Sequence, residues 1–128
     1  MTRNEIGRIV VDRSLKVHKT LGPGLLESTY QECLLYELHK SGLFVEKEKV
    51  MPVLYDNLKL DCGYRIDLLI EGKVIVELKS EESLTNIHLA QILTYMKLSN
   101  VKLGFLINFN VRLIKDGIRR VVNKFEQH

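Results

Sequence analysis

The chain has 128 residues, a formal net charge of +3 and a pI near 8.9, with 45% hydrophobic and 27% charged residues. That length fits one domain with a real core, and the charge permits a polyanionic partner without requiring one. No apolar run approaches the ~18 residues of a membrane span and the N-terminus has no signal-peptide pattern, so a cytoplasmic location is the default expectation.

The first segment, residues 4–20, has helical periodicity through Ile6, Ile9, Val10, Val17 and Leu21, and Gly22-Pro23-Gly24 stops it. A second helix is expected over residues 27–41, with Tyr30, Leu34 and Leu38 as its apolar stripe. Ser28 with Gln31, or Thr29 with Glu32, would cap it. From Phe44 the pattern turns to strand: residues 45–55, with Pro52 marking an edge or a bulge, then 58–70 after an Asp56-Asn57 turn. Residues 73–79 return as a third strand. A polar loop, 80–83, leads to a helix over 84–98 with Ser83 or Thr85 as N-cap. Residues 101–108 are a strongly apolar strand. Residues 112–122 read as a hairpin, or as a strand into a helix, turning at Asp116-Gly117, before a charged, fraying tail. Cys33, on the second helix, and Cys62, on a strand, are too few for a disulfide framework and lack zinc-ligand spacing, so both read as free thiols in a reducing compartment. The order α-α-β-β-β-α-β-β, with one helical crossover, describes a sheet between helices, an α/β or α+β sandwich.

The segment from Arg65 to Lys79 separates into two faces. Ile66, Leu68, Ile70, Val74, Val76 and Leu78 fall on one side, and Arg65, Asp67, Glu77 and Lys79 on the other, with Leu69 and Ile75. Both apolar sets are even-numbered. They share a face only if pairing residues sum to an even number, which requires an odd-length loop. A three-residue loop with Gly72 in the left-handed region satisfies this. Asp67 and Glu77 then project together, roughly 5–8 Å apart. Carboxylates that close repel unless a proton or cation separates them.

Asp67 and Glu77 suit Mg²⁺, a hard cation that takes carboxylate and carbonyl oxygens, and the Leu78 carbonyl would be at hand as a third ligand. Lys79 would orient a water or stabilise developing charge. The bland alternative is a solvated strand face with ion pairs Arg65–Glu77 and Asp67–Lys79. Glu27 falls on the inward stripe of its helix, either as a further acid or as a residue held by the helix dipole. His18 is a metal ligand, a phosphate contact or merely a satisfied or solvated residue. His88, Gln91 and Tyr95 share one face of the third helix, where Gln91 and Tyr95 would meet phosphate or brace Lys79, unless that face is simply its polar edge.

Several of these residues match a known pattern. Gly24, Glu27 and Tyr30 spell GxxExxY after His18 and Leu21-Gly22-Pro23; Asp67 with Glu77-Leu78-Lys79 spells D…ExK; Gln91 and Tyr95 spell QxxxY. The chain resembles the GxxExxY protein family within the PD-(D/E)XK nuclease superfamily, over most of residues 6–122. The resemblance implies a restriction-endonuclease-like core, a mixed central sheet flanked by helices with an N-terminal helical hairpin. It also implies a Mg²⁺-dependent nuclease active site but not its substrate; a nuclease on DNA, with Mg²⁺ or Mn²⁺, is the expectation. Asp67, Glu77 and the Leu78 carbonyl would bind metal, Lys79 would serve the water and Glu27 would be the acid on the first core helix. His18 would join the metal site as a helical histidine does in the exonuclease-like branch, and Gln91, Tyr95 and Tyr30 would contact substrate. Ile66 stands where the superfamily often has proline. The alternative is a non-catalytic module on the same fold that binds nucleic acid or protein, a homodimer supplying a longer basic groove.

Overall fold

The computed structural model describes residues 1–124, without the side chain of Cys62. Its elements are α1 Arg3–Leu21, α2 Glu27–Lys40, β1 Val45–Tyr55, β2 Leu58–Ile70, β3 Val74–Lys79, α3 Asn86–Ser99, β4 Leu103–Asn108 and β5 Ile118–Val122, with a 3-10 turn at Ile114–Asp116. The strands form one sheet in the order β1-β2-β3-β4-β5. The β3–β4 pair is parallel, with α3 as its crossover, and the other neighbours are antiparallel. This α+β fold is consistent with the expected restriction-endonuclease-like core. The last segment resolves as a strand that returns antiparallel to β4. From residue 125 the expected frayed tail lies outside the described residues. Among the described residues no helix is long and apolar enough to cross a membrane.

The sheet separates two apolar clusters. On one side Leu68, Ile70, Val74, Val76, Leu78, Phe105 and Ile107 pack against Ile6, Val10 and Val17 of α1 and Tyr30, Leu34 and Leu38 of α2. On the other, Leu69, Ile75, Leu106 and Val121 pack against Ile92 and Met96 of α3. Each fully buried aliphatic or aromatic side chain contributes about 1.5–3 kcal/mol, so both sheet faces are anchored.

Helix starts depart from expectation. Thr2 and Glu5 form a capping box for α1. The boxes expected around Ser28 and Thr29 are absent: α2 begins at Glu27, and its N-cap Leu26 makes no side-chain cap. Thr85 does cap α3. Gly22 ends α1 at φ 69°, its N–H donating to the His18 carbonyl at 2.7 Å. Pro52 lies on the edge strand β1, within a register shift between Met51 and Val53, because proline has no N–H for a ladder.

The β2–β3 hairpin has the expected odd loop. Leu68 pairs with Val76, Leu69 with Ile75 and Ile70 with Val74, around Glu71-Gly72-Lys73. Gly72 is left-handed at φ 64°, and so is Glu71 at φ 54°. Glu71 is held there on both sides: its N–H donates to the Phe44 carbonyl (2.8 Å), and its Oε2 accepts from the Phe44 N–H (2.6 Å).

One face assignment is corrected. Ile66, expected beside Leu68, packs instead with Leu69 and Ile75 in the α3 cluster. The alternation of β2 breaks at Asp67. The register with β1 skips the same step, where Glu48 has φ 49°. A non-glycine residue in the left-handed region turns the strand pair over, and β2 resumes with its faces exchanged.

Gly104 lets α3 approach the sheet: a Cβ there would lie 2.8 Å from Met96 Sδ and 3.3 Å from the Ile75 carbonyl. Gly104→Ala is therefore expected to lower stability by about 1–3 kcal/mol through overpacking. Urea denaturation measures this, and an unchanged midpoint would show that α3 does not sit so close.

Candidate active site

The hairpin ladder ends at Leu68–Val76. One step further Asp67 stands opposite Glu77, and there the strands part: β2 continues along β1, and β3 along β4. Backbone N–H groups at such a fork need acceptors, and the two carboxylates supply them reciprocally. Glu77 Oε2 accepts from the Asp67 N–H at 2.8 Å, and Asp67 Oδ2 accepts from the Leu78 N–H at 2.9 Å. Each carboxylate keeps its second oxygen, Asp67 Oδ1 and Glu77 Oε1, without a hydrogen-bond partner among the described residues.

Charge is poorly balanced here. Glu77 is 3% exposed. Burial, with the Asp67 carboxylate second, pushes its pKa up to about 8, against the Asp67 N–H bond and Lys79. Asp67 is also raised, first by burial and further by Glu27 and Glu48, against the Leu78 N–H and Lys79. The pair titrates as a unit. Lys79 is the cation that acts on both carboxylates, yet it makes no ion pair within 4 Å with either among the described residues, and neither does Arg65. The cross-strand ion pairs of the bland reading are thus absent.

Glu27 reaches the site from another element. It is exposed rather than inward, because α2 starts with it and its side chain leaves the open end of the helix. Its Oε1 accepts from the Ser80 N–H at 3.2 Å, and Ser80 Oγ donates to the Leu25 carbonyl at 2.6 Å. Those bonds fasten the α2 N-terminus to the residue after Lys79. From α3, half-buried Tyr95 stacks on Tyr64 (4.8 Å between centroids) and accepts a hydrogen bond from Gln91 Nε2 at 3.1 Å. Its pKa is raised, by burial first and then by the Glu77 charge, which places its hydroxyl in the field of the acids.

Two expected site residues lie elsewhere. Tyr30 is fully buried, stacked on Phe109 at 4.6 Å. Its hydroxyl donates to the Gly22 carbonyl (2.6 Å) and accepts from the Leu25 N–H (3.1 Å). It shapes the Gly22–Leu26 loop and offers substrate no surface. His18, 6% exposed, has Nε2 2.7 Å from the Val111 carbonyl, joining α1 to the segment after β4. That carbonyl needs a donor, so Nε2 carries the proton and is not available to a metal.

Three residues were not singled out in the sequence. Glu48 stands across β1 from Asp67 and adds to its negative field. Asn108, 2% exposed, clamps the loop after Lys79: Oδ1 accepts from the Glu81 N–H (3.1 Å) and Nδ2 donates to the Glu81 carbonyl (2.9 Å). Glu81 in turn has Oε2 2.6 Å from His88 Nε2. His88 Nδ1 accepts from the Thr85 N–H, so Nε2 is the protonated nitrogen. His88 thus shares the half-buried face of α3 with Gln91 and Tyr95, and its ring is taken up by Thr85 and Glu81 at the start of that helix.

Paired carboxylates at the end of a central strand, a lysine two residues on and an acid from a preceding helix define a restriction-endonuclease-like domain. Comparison with known families matches the PD-(D/E)XK nuclease superfamily over residues 4–121, and the chain belongs to that superfamily. No curated protein and no solved structure shows a significant match.

The donor chemistry fits a hard divalent cation: two close carboxylates, each with an open oxygen, in a site short of positive charge. Among the described residues no three His, Cys, Asp or Glu converge as a ready-made metal cluster, so carbonyl and water oxygens would have to complete any shell.

The raised Glu77 has a consequence for stability. Its folded pKa, about 8, lies above the ordinary 4.5, so between those values the folded state binds more protons than the unfolded one. Stability then falls as pH rises through this window. In EDTA, melting temperature is expected to drop from pH 5 to pH 8.5 in the wild type and to drop much less in Glu77→Gln. Equal slopes would show that Glu77 is not held in a charge-poor pocket.

Proposed function

We propose that this chain is a metal-dependent nuclease that hydrolyses phosphodiester bonds in DNA, and a GxxExxY-type member of its superfamily. The observation that carries the reading is the strand fork, where the Glu77 carboxylate is fixed by the Asp67 N–H and the Asp67 carboxylate by the Leu78 N–H, and where each keeps one open oxygen and is short of positive charge. Asp67 Oδ1, Glu77 Oε1 and the Leu78 carbonyl would hold Mg²⁺ or Mn²⁺. When bound, such an ion offsets phosphate charge and lowers the pKa of an attacking water.

The side chains divide the remaining work. Lys79 faces the same field as both acids. Its ammonium would orient the water and stabilise the charge that builds on the phosphate oxygens. Glu27, tied to Ser80, keeps the strand end in place and adds a carboxylate at the rim. Tyr95, braced by Gln91, would present its hydroxyl to a non-bridging phosphate oxygen. The water oxygen forms the new bond to phosphorus, the ester P–O bond breaks, and the departing oxygen takes up a proton.

One observation favours the competing reading, a binding module without catalysis: no three metal-ligating side chains converge among the described residues. Purified protein incubated with labelled DNA and Mg²⁺ or Mn²⁺ separates the two. Cleavage is expected to fall by about 10²-fold or more in Glu77→Ala and in Lys79→Ala. Cleavage that persists unchanged in both variants would defeat the nuclease reading.

A further inference from the structure

The carboxyl ends of the parallel strands β3 and β4 lie side by side, Lys79 next to Asn108. In open sheets with parallel strands, ligands bind beyond such ends. The acids occupy the end of β3. Beyond the end of β4 is a cavity of about 490 Å³, lined by Lys19 at the end of α1, by Arg112 and Lys115 in the β4–β5 connection, and by His18, Leu15 and Leu113. Lys19, Arg112 and Lys115 are all exposed, and none has an ion-pair partner among the described residues. Three unpaired cations around one concave surface repel each other without an anion, and the C-terminal end of α1 offsets only the nearest charge.

The cavity is joined to the acids along two routes. The Phe109 N–H donates to the Lys79 carbonyl at 2.9 Å. Arg112 follows Phe109 by three residues, so its backbone lies within roughly 11 Å of that bond. On the other side Gly22, which lines the cavity, is tied through the Tyr30 hydroxyl to Leu25, and Leu25 to Ser80. His18 fixes the floor through Val111. Glu77 lies two residues before Lys79, so the path from Arg112 to the acids is at most roughly 20 Å, about six nucleotides at about 3.4 Å of rise per nucleotide on one strand.

A second basic cleft, of about 530 Å³, contains Arg3, Lys73 and Lys102. It lies at the opposite end of β3: Lys73 precedes that strand, four residues or roughly 13 Å before Glu77. The Lys73 ammonium is also engaged by the Met1 carbonyl at 2.7 Å. That cleft lies behind the hairpin turn, away from the strand ends toward which the fork opens.

We propose that Lys19, Arg112 and Lys115 form a subsite that grips the phosphate backbone of the nucleic acid a few nucleotides from the Asp67–Glu77 fork. The choice of nucleic acid as the polyanion rests on the nuclease reading; the subsite itself rests on the unpaired cations and their place in the fold. Cations on such a surface contact phosphates without reading sequence, so the subsite sets affinity and register while the acids determine the chemistry.

Fluorescence anisotropy with a labelled oligonucleotide, single-stranded and duplex, tests this in EDTA, where cleavage does not interfere. The triple variant Lys19→Ala/Arg112→Ala/Lys115→Ala is expected to bind roughly tenfold or more weakly near physiological salt. Its dependence of log K on log salt should be shallower by about 2 for the single strand and about 2.7 for the duplex. Lys19→Glu alone should weaken binding in the same direction, and thermal melts should match the wild type because all three side chains are exposed. Arg3→Ala/Lys73→Ala serves as the comparison and should bind nearly as the wild type does. Wild-type affinity and slope in the triple variant, or a loss confined to Arg3→Ala/Lys73→Ala, overturns the subsite, as does a wild type that binds neither oligonucleotide. A wild type that binds through the patch but cleaves nothing with Mg²⁺ or Mn²⁺ leaves the subsite standing and defeats the nuclease reading alone.

Discussion

The parting of β2 and β3 at Asp67 and Glu77 is the constraint on which the site depends. A ladder that continued would have used those backbone groups between the strands and turned both side chains into ordinary members of a charged face. Because the strands separate, each carboxylate takes a backbone N–H from across the gap. Two carboxyl groups are held together in a nearly buried place by the main chain. That costs free energy, and the raised Glu77 pKa is its sign. Folding tolerates the cost because the sheet beneath is packed on both faces, with Leu68, Val76 and Leu78 toward one pair of helices and Leu69 and Ile75 toward α3.

The rest of the fold brings other groups to that fork. The 3-10 turn and β5 return along β4, so the segment after Asn108 folds back beside Lys79 rather than away from it. Asn108 ties down the loop after β3, Ser80 ties the start of α2, and Tyr95 closes from α3. These contacts join residues far apart in the chain. Negative charge gathers at the end of β3, and beyond β4 lie Lys19, Arg112 and Lys115, which form no ion pair among the described residues.

Much of this was legible in the sequence. Parity alone required an odd hairpin loop, and the three residues around left-handed Gly72 bear it out. Pro52 marked the edge strand and its irregularity. Tyr30, Leu34 and Leu38 marked the buried stripe of α2. Alternation failed at Ile66 because it assumes a regular strand, and the left-handed Glu48 on the neighbouring strand carries no local signature that glycine would have given. Helical periodicity placed Glu27 inward, but a residue at the first helical position has no preceding turn to cover it. The motif pointed to Tyr30 as a substrate contact, whereas its hydroxyl is consumed in holding the loop that contains the motif's glycine, Gly24. Asn108 was silent because its partner, Glu81, is distant in the chain, and an asparagine at the end of an apolar strand looks like any turn residue.

The most direct test of the fork as a metal site is a crystal structure of the protein soaked in Mn²⁺, with the ion located by its anomalous scattering. One ion coordinated by Asp67 Oδ1 and Glu77 Oε1 is the expected result, with both carboxylates keeping their bonds to the Leu78 and Asp67 N–H groups. An empty fork at saturating Mn²⁺, or an ion bound only at other carboxylates, would contradict it.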